Sequence, residues 1–424
     1  MVSQLSSLSH LSRLTKLRIN KGRLLQRLDQ LAQIGLISGG GVCRLALTDE
    51  DKAGRDLVVS WMRELGLTIT IDQIGNVVAI RPGQAPGPPV MTGSHIDTVA
   101  TGGRYDGNLG VLAGLEIIAT LNDNNIQTRH PVAVAFFTNE EGARFHPDMM
   151  GSWVFSGDFP VEEALASVGI DGTTVGEELE RISYAGKVPC GSQPVKAFVE
   201  LHIEQGPVLE LEGFQIGAVT GVQGMSWKEY TVKGVSNHAG TTPMHLRHDA
   251  GYGASAIALA ARQLALEMGG NQVATVGSIQ LTPGLVNVIA KEARLTVDLR
   301  NTDETCLQHA EIAMQSKIDA IAKAEGLEIT SRSLARFKPV VFDSAMIDLV
   351  TNTAEGLGLS VKSMPSGAGH DAGLIAPMAS TAMIFVPSVN GISHNVKEYT
   401  APEDLENGAN VLLQVLLQLS IQVF

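Results

Sequence analysis

Side chains that can bind metal ions follow several apolar segments of the sequence, each at the point where the segment ends. They are His95 and Asp97 in "GSHIDT", Asp106 in "GGRYDGNLG", Glu140 and Glu141 in "FTNEEG", His202, Glu204 and Gln205 in "ELHIEQG", and His394 in "GISHN". Taken singly, a histidine at a strand end is more often a hydrogen-bonded structural residue, and an Asp-Gly pair is more often a turn. Charged groups at the ends of buried strands are nevertheless unfavourable unless they are paired or bind a cation. The occurrence of several histidines and carboxylates together at such segment ends therefore predicts a metal site.

Imidazole and carboxylate ligands suit Zn²⁺, Mn²⁺, Co²⁺ or Ni²⁺, and a set without a thiol is not typical of a structural zinc site. A pair of neighbouring ions needs a bridging carboxylate and further ligands for each ion. Asp106 as the bridge, with His95 and His202 on one ion and Glu141 and His394 on the other, supplies such a set. The residues thus predict a centre for two divalent metal ions, and Zn²⁺ is the usual occupant by availability.

The adjacent glutamates of "FTNEEG" are expected to have different roles, because neighbouring residues on a strand point to opposite faces. We assign Glu141 to the metal, and Glu140 to the attacking water as its general base. Asp97 lies two residues after His95, and its carboxylate can accept the second ring N–H of that histidine and fix its tautomer. Mutation of Glu141 should then affect the metal, and mutation of Glu140 only the chemistry.

An α/β sheet with helices on its faces would bring these groups together. Apolar strands alternate with helical segments, including a helix over 22–35, a helix that begins near Thr48 and a β-hairpin over 67–83. In open α/β sheets, functional sites form beyond the carboxyl ends of the strands. The groups can therefore converge although 299 positions separate His95 from His394.

A second domain is predicted after a glycine-rich stretch at 214–224, which could act as a hinge. The segment 222–334 has the order β-α-β-β-α-β, which is typical of a ferredoxin-like sandwich. It would interrupt the first domain, which then comprises 1–221 and 335–424. The predicted fold class is α/β: a mixed sheet flanked by helices, interrupted by a smaller ferredoxin-like α+β domain.

The composition narrows the possible partners. The chain has 424 residues, a net charge of −13 and no evident basic patch, which disfavours nucleic acid as a partner. No apolar run approaches the ~20 residues of a membrane span. The cysteines Cys43, Cys190 and Cys306 are far apart, so we expect no disulfide framework and a reducing, cytoplasmic location. The first 20 residues are basic and are expected to form an extension or first helix rather than a targeting signal.

From about residue 20 to the C-terminus, the chain resembles the dinuclear-metal amidohydrolases of the M20 peptidase clan, specifically the hydantoinase/carbamoylase branch. That branch includes N-carbamoyl-L-amino-acid hydrolases, β-ureidopropionase and allantoate amidohydrolase. The resemblance rests on motifs that occur in the family's order: "GSHIDTV", "GGRYDGNLGVLAG", "FTNEEGARF", "ELHIEQGPVLE", "HAGTTPM", "NVIA", "DLR", "SGAGHDA" and "GISHN". It implies a metal-binding catalytic domain interrupted by a lid domain that forms a homodimer.

The resemblance also implies roles for individual residues. The metal ligands of the family match His95, Asp106, Glu141, His202 and His394. Glu140 matches the catalytic base, and Asp97 matches the residue that orients the first histidine. His238, in "SNHAGTTPM", matches a lid histidine that reaches the neighbouring subunit's site and stabilises the developing oxyanion there.

Positions that bind substrate in the family form a further group. The matching residues are Gln205, Asn287 and Arg300, and the further candidates are His370 in "GAGHDA" and Arg247 near "MHLRHD". Arg300 would pair with the substrate carboxylate through two parallel hydrogen bonds. A salt bridge between Arg300 and Asp298 is the structural alternative.

The activity implied is hydrolysis of the carbamoyl C–N bond of an N-carbamoyl-L-amino acid, a small ureido substrate, to amino acid, CO₂ and ammonia. The alternatives within the family are allantoate or ureidoglycolate amidohydrolase in purine catabolism, and hydrolysis of N-carbamoyl-β-alanine. A peptidase or aminoacylase is disfavoured by "FTNEEGARF" and "HIEQGPVLE". A non-catalytic metal-dependent binding protein is the alternative from a different class, and the complete set of ligands together with the base argues against it.

Overall fold

The structure, a computed structural model, describes residues 14–191 and 193–421 of the chain. These residues divide into two units, one formed by the described residues up to Thr220 and from Phe342 onward, and the other by Gly221–Val341. The second unit is a continuous insertion in the sequence of the first. It begins one residue before the sequence-based boundary at 222 and ends seven residues after that at 334. None of the helices formed by the described residues is long and apolar enough to cross a membrane.

Helices and strands alternate along much of the chain. The helices are α1 (Lys21–Ala32), α2 (Asp49–Glu64), α3 (Asn108–Asp123), α4 (Met150–Ser156), α5 (Val161–Ala166), α6 (Val175–Arg181), α7 (Val208–Glu212), α8 (Ala250–Met268), α9 (Glu304–Glu325), α10 (Ser344–Gly356), α11 (Asp371–Ile375) and α12 (Pro402–Ile421). The strands are β1 (Thr68–Ile71), β2 (Val77–Arg81), β3 (Val90–His95), β4 (Val132–Phe137), β5 (Ala197–Ile203), β6 (Ile216–Val222), β7 (Gly224–Lys233), β8 (Val273–Thr275), β9 (Ile279–Thr282), β10 (Glu292–Asn301), β11 (Glu328–Phe337), β12 (Val340–Val341), β13 (Val361–Ser366) and β14 (Ser380–Val386).

The first unit is built on a mixed sheet with the strand order β1-β2-β4-β3-β5-β14-β6, and β13 also pairs with β6. The central strands β4, β3, β5 and β14 run parallel to one another. Strands β2 and β6, which flank them, are antiparallel to their neighbours. The predicted mixed sheet is confirmed, and the carboxyl ends of its four parallel strands lie along one edge.

Apolar sequence explains the interior of this unit. Strands β3, β4 and β5 are buried along their whole length, as expected of parallel strands that are covered on both faces. The β1-β2 hairpin forms as predicted. Helix α1 buries Leu24, Leu28 and Leu31, the face that its periodicity indicates. Helix α2 begins after Thr48, whose side chain accepts the N–H of Asp51.

The basic N-terminal segment lies largely outside the described residues, which begin at Leu14. Leu14 and Ile19 are buried in the core of the first unit. The Gln414 side chain in α12 donates a hydrogen bond to the carbonyl of Leu14 at 3.0 Å. The chain is therefore already packed against the core at its first described residue.

The second unit has the strand order β11-β7-β10-β8, with β9 also pairing with β10. Its chain order is strand, helix, strand pair, strand, helix, strand, so the predicted ferredoxin-like arrangement is confirmed. The second strand of that pattern is divided into two short strands, β8 and β9, which both pair with β10. Helices α8 and α9 cover one face of the sheet, onto which alternate residues of β10 from Ala293 to Leu299 are buried.

Candidate metal centre

The candidate metal ligands of the first unit lie at the carboxyl edge of its parallel strands. His95 is the last residue of β3, and His202 is the last residue but one of β5. Glu141 follows the end of β4, and His394 follows β14. The residues that strand-end reasoning selected from the sequence therefore lie along one edge of the sheet.

The Asp106 carboxylate lies between two groups of side chains. Its Oδ1 atom is 3.6 Å from Nε2 of His95 and 3.2 Å from Nε2 of His202. Its Oδ2 atom is 3.5 Å from Nε2 of His394, and that same nitrogen is 3.2 Å from Oε2 of Glu141. In each group, the atoms able to bind a metal lie within 4.8 Å of one another.

Hydrogen bonds to backbone carbonyls fix the tautomers of two of these histidines. Nδ1 of His95 lies 3.0 Å from the carbonyl oxygen of Asp97, and Nδ1 of His202 lies 2.9 Å from that of Ile203. A carbonyl only accepts, so both Nδ1 atoms carry the hydrogen. In the neutral ring, Nε2 then keeps the lone pair that a metal ion needs. The donor set therefore fits a metal site.

Asp97 acts differently from the sequence prediction. Its carboxylate lies 3.9 Å from Nδ1 of His95, which is too far for a hydrogen bond, and its backbone carbonyl receives the ring N–H instead. The two carboxylate oxygens accept the backbone N–H groups of Glu140 and Glu141, each at 3.2 Å. Asp97 therefore fixes the turn that carries both glutamates. These hydrogen bonds depend on how the loops fold, so the spacing of the residues in the sequence does not indicate them.

Glu140 belongs to neither of the two groups around Asp106. It is buried, and its Oε2 atom lies 3.4 Å from Nε2 of His95. Burial raises the pKa of Glu140 well above its ordinary value, although the His95 ring acts in the opposite direction. A carboxyl group with a raised pKa that lies beside the ligands can take up a proton and release it again.

The Asp106 carboxylate, in contrast, is held ionised. Burial acts against its charge, but hydrogen bonds with the rings of His202, His394 and His95 hold the pKa of Asp106 well below its ordinary range. The hydrogen bonds of His394 to Asp106 and Glu141 raise the pKa of that histidine to about 10. The cluster thus balances buried negative charge with positive charge, a balance that bound cations would also provide.

Backbone geometry at the cluster is tightly constrained. Gly107 has φ of +65°, and a Cβ atom at this position would lie 2.4 Å from the His95 ring. Gln205 and His394 adopt φ values of +58° and +53°, which non-glycine residues rarely do. Such conformations cluster at functional sites, where the surrounding structure stabilises them. The Gln205 side chain donates to Oδ2 of Asp106 at 2.8 Å, so this predicted substrate-binding residue contacts a candidate ligand.

His370, another predicted substrate-binding residue, lies behind the cluster. It is buried, with its Nε2 atom 2.9 Å from Oγ of Ser366. Its ring meets the His202 ring edge to face at a centroid distance of 4.5 Å. Burial, and next the nearby His202, hold the pKa of His370 well below its ordinary value. In this position its ring contacts a candidate metal ligand, and a direct role in substrate binding stays a prediction.

Sequence reasoning missed Glu200, which is buried two residues before His202 on β5. Its carboxylate accepts a hydrogen bond from Oγ of Ser94 at 2.6 Å and another from the backbone N–H of Ala372 at 2.8 Å. It therefore joins β3, β5 and α11 beneath the cluster. A signal was present, because residues two apart on a strand share a face and Glu200 thus lies on the face of His202.

The remaining predicted residues lie on the second unit, and three of them are grouped there. His238 forms an antiparallel bridge with Val288, and the backbone N–H of Ala239 donates to the carbonyl of Asn287 at 3.0 Å. Arg247 holds the loop after His238, since its Nη2 atom donates to the carbonyl of Ala239 at 2.6 Å. Nδ1 of His238 accepts two backbone N–H groups, so the neutral ring carries its hydrogen on Nε2.

Arg300 lies elsewhere on this unit, in β10. Its Nε atom is 3.0 Å from Oδ2 of Asp298, and its guanidinium lies 5.7 Å from the ring centroid of Trp227. The salt bridge named as the structural alternative is therefore present. Both side chains of this pair are about three-quarters buried, with exposed fractions of 23% and 25%.

Comparisons with known proteins agree with the motifs and the geometry. The model of the Peptidase family M20/M25/M40 matches residues 91–418. An N-carbamoyl-L-amino-acid amidohydrolase of Rhizobium meliloti is 41% identical over 402 residues, which cover 95% of this chain and 97% of the relative. A ureidoglycolate hydrolase of Arabidopsis thaliana is 34% identical, covering 96% and 88%.

A solved structure shows the same fold over nearly the whole chain. The amidase of the hydantoinase/carbamoylase family from Burkholderia multivorans has a TM-score of 0.92 and 47% identity, covering 96% of this chain and 100% of that one. The resemblance inferred from the motifs is confirmed. The chain belongs to the Peptidase family M20/M25/M40, and within it to the hydantoinase/carbamoylase group.

Proposed function

We propose that this protein is a metal-dependent amidohydrolase that cleaves the carbamoyl C–N bond of N-carbamoyl-L-amino acids, giving the amino acid, CO₂ and ammonia. The observation that carries the proposal is the position of Asp106 between two groups of ligands, in a chain 41% identical to an N-carbamoyl-L-amino-acid amidohydrolase. One ion would be held by His95, Asp106 and His202, and the other by Asp106, Glu141 and His394. Zn²⁺ suits these ligands and is generally available, and Mn²⁺, Co²⁺ or Ni²⁺ also suit them.

When bound, divalent ions polarise the scissile carbonyl and ease the deprotonation of water. Glu140 is the proton carrier: it accepts a proton from the attacking water and gives it to the leaving nitrogen. Its burial supports this role, because a raised pKa allows the carboxyl to hold the proton between the two steps. Asp97 keeps Glu140 and Glu141 in their separate roles through its hydrogen bonds to their backbone N–H groups.

The second unit would supply the groups that recognise the substrate. Arg300 would bind the substrate carboxylate. Asn287, which lies beside His238 and not beside Arg300, would act together with that histidine. Gln205 would contribute from the first unit, and Arg247 and His370 are further candidates. His238 would stabilise the oxyanion in the site of a partner subunit, and its Nε2–H supports this role as a donor. The second unit would thus act as both lid and dimerisation domain.

Replacing Arg300 by Lys is expected to raise KM for the carbamoyl amino acid by about 10- to 100-fold with a smaller effect on kcat, because a hydrogen bond between charged groups contributes about 1.5–3 kcal/mol. Lysine keeps the charge and loses the planar, two-pronged donor. Steady-state kinetics would measure the change. Arg294→Lys, on the same face of β10 and more exposed, is the matched control and should leave KM unchanged. Equal KM values for Arg300→Lys and the unmodified protein would refute carboxylate binding by Arg300.

An apolar stripe on the second unit supports the homodimer. Tyr252, Leu259 and Leu266 recur every seven residues along α8, and each is more than half exposed. Ile279 and Leu281 of the neighbouring β9 are also exposed. Exposed apolar residues that recur along a helix and its neighbouring strand are typical of protein–protein interfaces.

Introducing a charge into this stripe with Leu259→Glu is expected to convert a dimer into a monomer and to lower turnover sharply. Analytical ultracentrifugation together with an activity assay would measure both effects. Ile312→Glu is the matched control, since Ile312 is an exposed residue of the other helix, α9. A fully active monomer would exclude any contribution of a partner's His238 to the site.

A mixture of two inactive variants tests the role of His238 directly. His238→Ala and Glu140→Gln subunits should each be inactive alone, and together they should recover about a quarter of the unmodified rate, because half of the dimers are mixed and each mixed dimer has one intact site. Re-equilibration of the mixed subunits would be followed by ammonia release. No recovery in dimers shown by mass spectrometry to be mixed would place His238 in its own subunit's site.

Hydrolysis of ureidoglycolate or allantoate is the second candidate function, favoured by the ureidoglycolate hydrolase of Arabidopsis thaliana at 34% identity. The same centre and base would serve, and N-carbamoyl-β-alanine is a further possible substrate. An assay of ammonia release across these ureides and a series of N-carbamoyl-L-amino acids distinguishes them. A protein that binds metal and hydrolyses none of them would be a non-catalytic binding protein.

The three cysteines are free thiols, which supports a cytoplasmic location.

A further inference from the structure

Glu398 is a buried carboxylate that connects two loops of the first unit. Its Oε1 atom accepts the backbone N–H groups of Tyr105 and Asp106 at 3.1 and 3.2 Å. Its Oε2 atom accepts a hydrogen bond from Oγ of Ser393 at 3.0 Å. One loop carries Asp106 and the other carries His394, so a single side chain joins segments that are 292 residues apart.

Close packing accompanies these hydrogen bonds. A Cβ atom at Gly103 would lie 2.1 Å from Oε1 of Glu398, so only glycine fits at this position beside the Glu398 side chain. Glu398 is itself only 6% exposed. Hydrogen bonds of a carboxylate to N–H and O–H donors are stronger than those between neutral groups. The hydrogen bond from its backbone N–H to Glu398 therefore helps to fix the position of Asp106.

Ser393 extends this connection to the candidate ligands. Its Oγ atom lies 3.1 Å from Oδ2 of Asp106 as well as 3.0 Å from Glu398, and the next residue is His394. A hydroxyl has a single hydrogen to donate, so Ser393 donates to one of the two carboxylates at a time while its oxygen stays within hydrogen-bond distance of both. The same oxygen of Asp106 is 3.5 Å from Nε2 of His394.

We propose that Glu398 is a positioning residue that fixes Asp106 relative to His394 and thereby sets the affinity of the site formed by Asp106, Glu141 and His394 for its divalent ion. This inference rests on the proposed two-ion centre. Groups that orient metal ligands without touching the metal change metal affinity by about 10- to 100-fold when they are removed. Glu398 holds one ligand by its backbone and the loop of the other by Ser393, so its loss should act on the ion that these two ligands share.

The test is a titration of metal-free protein with Zn²⁺ in competition with a chromophoric chelator, for the unmodified protein and for Glu398→Asp, Glu398→Ala and Glu398→Gln. The aspartate side chain is one methylene shorter and cannot reach both loops, so Glu398→Asp and Glu398→Ala should weaken one of two binding steps by about 10- to 100-fold. Glu398→Gln keeps the shape and one accepting oxygen, and its loss of affinity should be smaller. If the other two variants do not fold, the Zn²⁺ affinity of Glu398→Gln is the test, and an unchanged affinity would overturn the inference.

Asp72→Ala is the matched control for a purely structural effect. Asp72 is also buried and accepts the backbone N–H groups of Ile74 and Asn76, but it takes no part in the cluster. This variant should lower the melting temperature of the metal-free protein and leave both Zn²⁺ affinities unchanged. Folded Glu398→Asp and Glu398→Ala proteins that bind two ions as tightly as the unmodified protein would overturn the inference. If the unmodified protein binds fewer than two ions, the proposed centre itself is wrong.

Discussion

Replacing Glu140 by Gln is expected to lower kcat by about 10²- to 10⁴-fold, the usual contribution of a general acid–base group, and to leave metal content unchanged. Glutamine has the shape of glutamate but cannot carry a proton between water and the leaving nitrogen. Glu140 lies outside both groups of ligand atoms around Asp106, so the ions should remain. Single-turnover kinetics and elemental analysis of the same preparation would measure the two effects.

The control for Glu140→Gln is Glu163→Gln, an exposed residue of the first unit, which should keep full turnover. Glu141→Gln is the informative neighbour, because Glu141 is 3.2 Å from His394 and shares a ligand group with it. The Glu141→Gln variant should have a lower metal content than the unmodified protein, whereas Glu140→Gln should not. If Glu140→Gln retained turnover, the proton carrier would have to be another group.

Asp106→Asn is expected to lose both ions and with them all measurable hydrolysis. The carboxylate is the one member that both ligand groups share, so in the proposed centre it would supply the negative charge that two neighbouring cations need between them. An amide has no such charge. Metal content after gel filtration would fall from two ions per chain towards none.

His95→Ala provides the graded comparison, since His95 belongs to one of the two groups and its loss should release a single ion. Asp158→Asn, an exposed residue of the same unit, is the control for expression and folding. Retention of two ions by folded Asp106→Asn would show that the ligands are arranged differently from our assignment.

The sheet edge and the cluster could be predicted from sequence because their signals are local. His95 and His202 lie at or near the ends of short, largely apolar segments that are typical of buried strands, and the topology then brings the ends of such strands to one edge. The ferredoxin-like order of the second unit could be predicted for the same reason, because helix and strand periodicities are short-range features of the sequence. A family resemblance then supplied the roles that periodicity cannot.

Hydrogen-bond partners could not be predicted, because they depend on loop paths that differ by an ångström or less. At Asp97 the carbonyl lies at 3.0 Å from His95 and the carboxylate at 3.9 Å, and sequence spacing does not distinguish the two. His370 is buried against the ring of His202, a contact that its position in the sequence does not indicate. Glu398 joins loops 292 residues apart, and no periodicity in the sequence marks it.

The most direct test of the proposed function is the release of ammonia from N-carbamoyl-L-amino acids by protein whose metal has been removed and then restored. We predict that restored protein releases ammonia and L-amino acid in equal amounts, that chelator-treated protein releases neither, and that ureidoglycolate and allantoate are hydrolysed more slowly. Hydrolysis by protein shown to contain no metal would contradict the proposed function. So would the failure of protein shown to contain two ions to hydrolyse any N-carbamoyl-L-amino acid.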